Sequence, residues 1–348
     1  MTFAHHLKKQ LQLHPSAEPR DAVKLCYQAA FGAEHLLLDI ESARDYLDDE
    51  FSSVASGEGP LFEQISPDFC RVNLSAWKKE ALPRGWLFEM FRITASNGAA
   101  ANGTEIFAGC LSDVESHMAS GEAPFTPAAW HDFMEGYDRH APKPVHHSAF
   151  YRENEHPAYR VVSMRYARLI PLLKHINELS EVGIIAIDGR SAAGKTTLAE
   201  VLCEITGSGI IHMDDFFLPG DLRTEARLSE PGGNVHYERF LTEVLPLLSS
   251  GNAFSYQTFD CEEMQMGELR QVAESGLRVV EGAYSCHPKL GDYMGLRVFC
   301  DITPEEQLRR IRNRNGDEMA DIFKSVWIPM EEAYLSAFSI AAKADIVC

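Results

Sequence analysis

The sequence predicts an α/β domain of three layers with a mostly parallel sheet over residues 179–348, preceded by a mainly α-helical domain over residues 1–178. The second domain is predicted by apolar segments that alternate with helical patterns, and by a glycine-rich turn between the first such segment and a helix. Helical patterns separated by Pro-, Gly- and Ser-rich stretches predict the first domain. A length of 348 residues fits two domains.

The second domain contains five short apolar segments that have the composition of buried strands. They lie at 183–187, 209–213, 277–281, 296–301 and 344–347. Helical patterns follow at 195–206, 236–249, 304–313 and 317–341. This alternation is typical of a parallel sheet covered by helices on both faces, in which ligands bind at the carboxyl ends of the strands.

The first of these segments leads into the loop G-x-x-x-x-G-K-T, which runs from Gly189 to Thr196 and opens a helix. Strand, loop and helix in this order predict a P-loop NTPase-type domain, because glycines let backbone N–H groups approach a phosphate. We expect Lys195 to reach the β- and γ-phosphates of a nucleoside triphosphate, and the Thr196 hydroxyl to ligate Mg²⁺. The alternative is a glycine-rich turn that happens to carry a lysine. The expected ATP-binding residues are Gly189, Arg190, Ser191, Ala192, Ala193, Gly194, Lys195, Thr196 and Thr197.

Acidic residues end two other apolar segments of this domain. Asp214 and Asp215 follow the segment 209–213, where a carboxylate can accept a proton from a hydroxyl or hold Mg²⁺ through water. A turn-forming or helix-capping pair is the alternative. Glu281 ends the segment 277–281, where we expect a second carboxylate of the metal shell, the alternative being an exposed acid.

Arginines form the densest positive cluster of this acidic chain, at the end of a helical pattern before Gly316. They are Arg309, Arg310, Arg312 and Arg314. Guanidinium groups match phosphate oxygens, so we expect one or two of them in a lid over the transferred group. The alternative is a helix C-terminus stabilised by its own basic residues.

A further set of polar residues lies between the acidic positions and could face a polar or anionic acceptor. A Gly-rich loop over 231–239 stands beside several of them, and a plain surface loop is the alternative. The candidate substrate residues are Asp215, Arg223, Arg227, His236, Arg239 and Tyr256.

Composition narrows the class of partner. A formal charge of −19 argues against nucleic acid or an anionic membrane as the main partner, so we expect a small molecule. The eight cysteines contain no C-x-x-C, and we find neither a leader peptide nor an apolar run of membrane-spanning length. We therefore expect a cytoplasmic protein with reduced thiols. The oligomeric state stays open, a homo-oligomer included.

The first domain shows helical patterns without recognisable chemistry. A helix is expected over 22–31 behind an N-cap at Asp21, with others at 41–53, 84–93, 104–119, 126–138 and 159–178. Its histidines do not fall at a metal-binding spacing, so we expect most of them to be structural.

Several ordered motifs together resemble the uridine kinase and phosphoribulokinase group of P-loop kinases. They are I-D-G-R-S-A-A-G-K-T-T from Ile187, M-D-D-F-F from Met213, V-V-E-G-A-Y from Val279, R-I-R-N-R-N-G from Arg310 and K-A-D-I-V from Lys343. The resemblance spans 183–348. It implies Asp214 as the base, Glu281 as a Mg²⁺-shell acid, and Arg310 and Arg314 as lid arginines.

Two departures from that group concern the acceptor. Uridine kinases carry a Tyr-Asp pair followed by a base-reading histidine, whereas here Phe259 stands at the tyrosine position and no histidine follows. Asn315 replaces the usual lid aspartate. The resemblance therefore implies phosphate handling and leaves nucleoside reading open.

The resulting leading hypothesis is a Mg-ATP-dependent phosphotransferase acting on a small-molecule hydroxyl, first of all a uridine kinase-like nucleoside kinase. A kinase for a non-nucleoside acceptor, such as a sugar phosphate or cofactor precursor, is the alternative that Arg223 and Arg227 favour. A nucleotide-gated regulatory or interaction module is the third hypothesis. The choice between ATP and GTP stays open.

Overall fold

The computed structural model describes residues 2–33, 39–97, 102–179, 183–260 and 263–348. The chain forms two compact units, Met1–Lys174 and His175–Cys348. Among the described residues no helix is long and apolar enough to cross a membrane.

The first unit is mainly helical, as predicted, and also contains a small antiparallel sheet of strand order β1-β2-β3. Its elements are α1 (Phe3–Leu13), α2 (Pro19–Phe31), α3 (Ile40–Ser53), β1 (Phe62–Gln64), β2 (Phe69–Asn73), α4 (Leu74–Lys79), α5 (Arg84–Ser96), α6 (Gly103–Ala119), α7 (Pro127–Glu135), α8 (Ala149–Glu155), β3 (Tyr159–Ser163), α9 (Met164–Ala167) and α10 (Ile170–Asn177), which extends past Lys174.

Three predictions for this unit were wrong in detail. The expected helix over 159–178 begins as the strand β3, because Val161 and Val162 are β-branched and pair with β2. The N-cap of α2 is Glu18, and the Asp21 carboxylate accepts a hydrogen bond from the Glu18 backbone N–H at 3.0 Å. The helix expected over 126–138 ends at Glu135.

The second unit alternates strands and helices around a five-stranded sheet and also contains a two-stranded hairpin. Its elements are β4 (Gly183–Gly189), α11 (Lys195–Thr206), β5 (Gly209–His212), α12 (Glu225–Leu228), α13 (Tyr237–Glu243), α14 (Leu245–Leu248), β6 (Phe254–Asp260), β7 (Gln265–Val272), β8 (Leu277–Glu281), β9 (Leu296–Cys300), α15 (Pro304–Ile322), α16 (Ile328–Phe338), α17 (Ile340–Lys343) and β10 (Ile346–Val347).

The sheet confirms the predicted fold class. Its five strands are all parallel in the order β10-β9-β4-β8-β5, and each corresponds to a predicted apolar segment. The strand β4 lies at the centre and is buried along its whole length. Because all strands run the same way, the carboxyl ends of β4, β5 and β8 meet at one edge.

Helices cover both faces of this sheet. On one face Ile184 and Ala186 of β4 pack in a core with Phe240 of α13 and Leu335 of α16. The residues that alternate with them along β4 face the other way, where α11 contacts β4, β5 and β8. This is the three-layer arrangement that the alternation predicted.

Other details of the second unit differ from expectation. The hairpin formed by β6 and β7 was not predicted. The helix expected over 236–249 is interrupted at Val244. The patterns expected at 304–313 and 317–341 are separated by the non-helical Gly316, although α15 continues past it to Ile322. The second pattern is interrupted by a π-helical turn over Phe323–Trp327 before α16.

Candidate active site

The glycine-rich loop lies at the carboxyl end of β4 and passes directly into α11. Gly189 has a φ of +136°, and a Cβ there would overlap the carbonyl oxygen of Cys300 on the neighbouring strand β9. Gly194, just before the helix, has a φ of +100°. Both positions require glycine, so backbone N–H groups can converge on an anion in front of the helix N-terminus.

A buried aspartate fixes the start of this loop. Asp188 is fully buried and accepts hydrogen bonds from the Gly189 N–H at 2.7 Å and the Tyr334 hydroxyl at 2.7 Å. It also accepts from the backbone N–H groups of Tyr284 and Cys286, which follow β8. Burial raises the pKa of this carboxyl, while the four donors favour its ionised form. No role was predicted for Asp188 from the sequence.

The Lys195 side chain folds back across the loop. Its Nζ donates to the carbonyl oxygens of Gly189 at 2.9 Å and Arg190 at 3.0 Å. The ammonium therefore lies against the loop, where the phosphates of a bound nucleotide are expected.

Glu281 lies opposite the loop, at the end of β8, and is 3% exposed, so the interpretation as an exposed acid was wrong. One carboxylate oxygen accepts a hydrogen bond from the Thr196 hydroxyl at 3.1 Å. The other lies 2.5 Å from Nδ1 of His212, the last residue of β5. His212 was not predicted, although its position just before the Asp pair could have pointed to it.

Asp214 follows His212 in a short 3-10 turn over Met213–Phe216 and faces the cavity described below. The surrounding protein, followed by the neighbouring Glu281 carboxylate, raises the pKa of Asp214. A carboxylate with a raised pKa at a cavity is suited to accept a proton near neutral pH.

These groups share a cavity of about 630 Å³. Among the described residues its lining is Ser191, Ala192, Gly194, Lys195, Thr196, Thr197, Asp214, Phe217, Arg223, Asn234, Glu281, Gly282, Ala283, Tyr284, Arg310, Arg314, Met319, Phe323, Trp327 and Glu331. The volume lies within the range of small-molecule sites. The structure thus brings the predicted phosphate, metal and proton-transfer residues together.

The arginine cluster divides into two pairs. Arg310 and Arg314 line the cavity, and Arg310 donates to the Ala192 carbonyl oxygen at 3.2 Å. Arg309 and Arg312 are absent from the lining and pair with acidic residues, Arg309 with Glu306 at 2.6 Å.

Two adjacent glutamates of α16 accept hydrogen bonds from residues of the loop. Glu331 accepts hydrogen bonds from the Ser191 N–H at 3.0 Å and from the Ser191 hydroxyl. Glu332 accepts from Arg190 Nε at 2.6 Å. Burial raises the pKa of Glu331. Neither glutamate was predicted, because 140 or more residues separate them from the loop.

Of the six candidate substrate residues, Arg223 lines the cavity and the other five do not. Asp215 accepts from the Tyr256 hydroxyl at 2.8 Å and pairs with Arg270 at 2.8 Å. These contacts anchor the β6–β7 hairpin to the turn that carries Asp214.

The remaining three candidates have structural partners in the same unit. Arg227 pairs with Glu238 at 2.8 Å and lies over the Tyr237 ring. Arg239 pairs with Glu243 at 2.8 Å, and His236 caps the helix α13. The structure therefore does not bring these side chains to the cavity.

The hard oxygen donors of the cavity fit Mg²⁺. The Thr196 hydroxyl and Glu281 are in contact, and Asp214 lies close enough to Glu281 for its pKa to respond. Within the described ranges no group of three or more His, Cys, Asp or Glu side chains is arranged to hold a metal. One or two carboxylates plus phosphate oxygens are, however, the usual protein ligands of Mg²⁺.

The first unit contains a buried polar network of its own. His147 lies 2.7 Å from Asp21 through Nδ1 and 2.6 Å from the Tyr159 hydroxyl through Nε2. Arg71, also buried, donates to the side-chain oxygen of Gln28 at 2.8 Å and of Gln10 at 3.2 Å. These contacts join helices α1 and α2 to the small sheet.

Comparison with known proteins finds likeness in structure alone. No protein-family model matches the chain. No curated protein matches it either.

Solved structures resemble about half of the chain, and the N-terminal half is unmatched. A structure described as a possible uridine kinase from Bacillus stearothermophilus is 22% identical, with a TM-score of 0.40 over 53% of this chain and 99% of that one. A structure described as a candidate fructose transport system kinase from a Silicibacter species is 17% identical, with a TM-score of 0.42 over 52% and 97% of the two chains. A protein from Thermus thermophilus is 20% identical, with a TM-score of 0.29 over 48% and 88%. Such values say nothing about substrate.

Proposed function

We propose that the second unit is a Mg-ATP-dependent phosphotransferase that phosphorylates a hydroxyl of a small molecule. The observation that supports this proposal best is the convergence of Lys195, Thr196, Glu281, Asp214 and Arg310 on one cavity. A uridine-like nucleoside is the first candidate acceptor, on the resemblance of the sequence motifs.

In this proposal the loop amides and Lys195 bind the β- and γ-phosphates, and the N-terminus of α11 adds its dipole. Thr196 and Glu281 hold Mg²⁺, with Asp214 beside them. The metal supplies charge neutralisation on the phosphate oxygens. Arg310 and Arg314, which line the same cavity, stabilise negative charge on the phosphoryl group in transit.

Asp214 acts as the base. The acceptor oxygen forms a bond to the γ-phosphorus while its proton passes to the Asp214 carboxylate. The bond between the γ-phosphorus and the bridging oxygen breaks, and ADP leaves. The raised pKa of Asp214 brings its proton affinity closer to neutral pH, as a general base needs.

A second candidate acceptor is an anionic alcohol, such as a sugar phosphate or a carboxylated cofactor precursor. Arg223 supports it, because this residue lines the cavity and forms no ion pair within the described part of the chain. Its Nε donates to the Leu218 carbonyl oxygen at 3.0 Å, which fixes the side chain. A neutral nucleoside does not need this cation.

The proposal is tested by ADP release from Mg-ATP across a panel of nucleosides, sugars, sugar phosphates and pantothenate. We expect acceptor-dependent turnover, and loss of calorimetric ATP binding by roughly 10- to 150-fold in Lys195→Met, since one charged hydrogen bond is removed. Lys9→Met, at an exposed site in the first unit, is the matched control.

Two results would argue against it. ATP binding without turnover of any acceptor would support the nucleotide-gated module instead. Unchanged ATP binding in Lys195→Met would contradict the assignment of the loop itself.

A further inference from the structure

One polar atom in the cavity wall has no partner. Asn234 lines the cavity but is only 2% exposed. Its side-chain oxygen Oδ1 is buried and accepts no hydrogen bond from the described residues. Buried polar atoms nearly always have a hydrogen-bond partner. An acceptor without a partner in a cavity wall therefore indicates that a bound ligand donates the missing hydrogen bond.

The fold holds Asn234 in place on several sides. Its backbone carbonyl accepts from the Leu218 N–H at 3.1 Å, and the next residue, Val235, pairs with Phe217 in an antiparallel bridge. A Cβ on the preceding residue, Gly233, would overlap the Arg227 carbonyl oxygen, so the chain approach there requires glycine. Burial raises the pKa of the Tyr284 hydroxyl and the Asn234 amide opposes this rise, so the two side chains are neighbours. Asn234 is therefore a preorganised group on an ordered loop.

Asn234 belongs to the side of the cavity where the acceptor is expected. Asp214, the proposed base, and Phe217 line the same cavity and come from the segment that Asn234 pairs with. Lys195 and Thr196, which are expected to hold the phosphates, come from the loop and α11. A ligand group that reaches Asn234 is thus part of the acceptor, with the Phe217 ring as an apolar neighbour.

We propose that Asn234 Oδ1 accepts a hydrogen bond from a second hydroxyl of the acceptor, so that the substrate is a polyol. This inference rests on the proposed function and adds a residue that determines its specificity. A site built to pair with a hydroxyl rejects an analogue that lacks it, because the buried acceptor is then left unpaired.

The test uses the full chain and the panel acceptor with the highest kcat/KM. Analogues of that acceptor, each lacking one non-reacting hydroxyl, are compared for the wild type and for Asn234→Leu, which keeps the volume but removes the amide. For one analogue we expect the wild type to lose about 5- to 150-fold in kcat/KM. In Asn234→Leu the parent acceptor and this analogue should differ by less than about threefold in kcat/KM. The variant has no amide oxygen with which the hydroxyl could interact, so removing the hydroxyl no longer has an effect.

Two further variants separate recognition from structure. Asn234→Asp keeps an oxygen acceptor at the same place and should keep the discrimination, even at a lower overall rate. Tyr284→Phe removes the hydroxyl next to the Asn234 amide but leaves Oδ1, so this variant should also discriminate between the two acceptors.

The possible results are distinct. If the wild type turns over an acceptor but treats every deoxy analogue within about threefold, the inference is overturned without any variant. Asn234→Leu could instead lower kcat/KM by the same factor, relative to the wild type, for the parent acceptor and for every analogue. The variant would then still discriminate, which would show that Asn234 has a structural role only and would also overturn the inference. If no panel acceptor is phosphorylated at all, the proposed function fails first, and the inference fails with it.

Discussion

The Thr196 hydroxyl at the start of α11 donates to the Glu281 carboxylate at the end of β8, over 3.1 Å. The two residues are 85 positions apart in sequence. The parallel pairing of β4 with β8, in which Ile187 lies opposite Glu281, brings them together. The contact therefore places a hydroxyl and a carboxylate, both ligands that Mg²⁺ accepts, directly in front of the phosphate loop.

Glu281→Gln should lower the affinity of the active site for Mg²⁺. The amide keeps the size of the side chain but removes the charge that a divalent cation needs, so we expect the Mg²⁺ concentration for half-maximal turnover to rise at least about tenfold. Magnesium titration of ADP release measures this. Glu200→Gln, at an exposed position on α11, is the control. An unchanged magnesium requirement in Glu281→Gln would remove this residue from the metal site.

Asp214→Asn and Asp215→Asn should fail in different ways. An amide cannot accept the acceptor proton, so Asp214→Asn should lower kcat by about 10²- to 10⁴-fold while ATP still binds. Asp215→Asn breaks the contacts with Tyr256 and Arg270, so it should lower the melting temperature by several degrees and affect kcat less. The opposite order of kcat losses would exchange the roles of the two aspartates.

The pH dependence of the wild type gives a second measure of Asp214. Its carboxyl must be ionised to accept a proton, and its pKa is raised in the folded protein. Activity should therefore fall as the pH drops through a value above the ordinary 3.8 of an aspartate. This acid limb of kcat/KM should be absent from the residual activity of Asp214→Asn.

Arg310→Ala should slow phosphoryl transfer far more than Arg309→Ala. Both arginines contact Glu306, but Arg310 alone of the two lines the cavity and donates to the loop at Ala192. Loss of one cation at the transferred group costs about 10²- to 10³-fold in kcat. Arg309→Ala removes an exposed pair, so less than about a twofold change is expected. Single-turnover kinetics with Mg-ATP compares them, and equal rates in the two variants would exclude a role for Arg310 in the transfer step.

The sequence predicted those parts of the second unit that local pattern determines. All five sheet strands are short apolar runs, and the loop at Gly189 has a spacing that backbone geometry dictates. The hairpin of β6 and β7 was missed because β7 is exposed along nearly its whole length, so it has no buried face to produce an apolar pattern.

Partners that only tertiary structure brings together could not be predicted. Asp188 holds residues 284 and 286, and Glu331 reaches Ser191 from α16. Their residue types do not reveal these contacts, since an aspartate in a strand and a glutamate in a helix have many ordinary uses. The same holds for Asn234, because the lack of a partner for its side-chain oxygen can be recognised only from the three-dimensional structure.

The free energy of unfolding of the first unit should decrease as the pH is lowered, because of His147. Burial, followed by nearby Arg71 and Lys24, lowers the pKa of His147 to about 4, while Asp21 opposes this. A histidine in the unfolded chain has a pKa near 6.5, so below that pH the unfolded state gains a proton that the folded state does not take up until about pH 4. The contribution of His147 is therefore present above pH 6.5 and is lost as the pH falls, by roughly 2 kcal/mol between pH 6.5 and pH 5.

The comparison with His147→Asn isolates this effect. Asparagine can still donate to Asp21 but does not titrate, so the variant should be less stable than the wild type at pH 7, through loss of the Tyr159 contact. The gap in free energy of unfolding should then narrow by roughly 2 kcal/mol at pH 5. His14 has the opposite pH dependence. Burial lowers its pKa, but hydrogen bonds with Glu63 and Glu155 outweigh this and raise it. The contribution of His14 to stability is therefore complete below pH 6.5 and is lost only as the pH rises through the raised pKa. Urea unfolding followed by tryptophan fluorescence suits the test, since Trp77, Trp86 and Trp130 lie in this unit. A gap that stays constant from pH 7 to pH 5 would mean that His147 takes up its proton in the folded state as readily as in the unfolded chain.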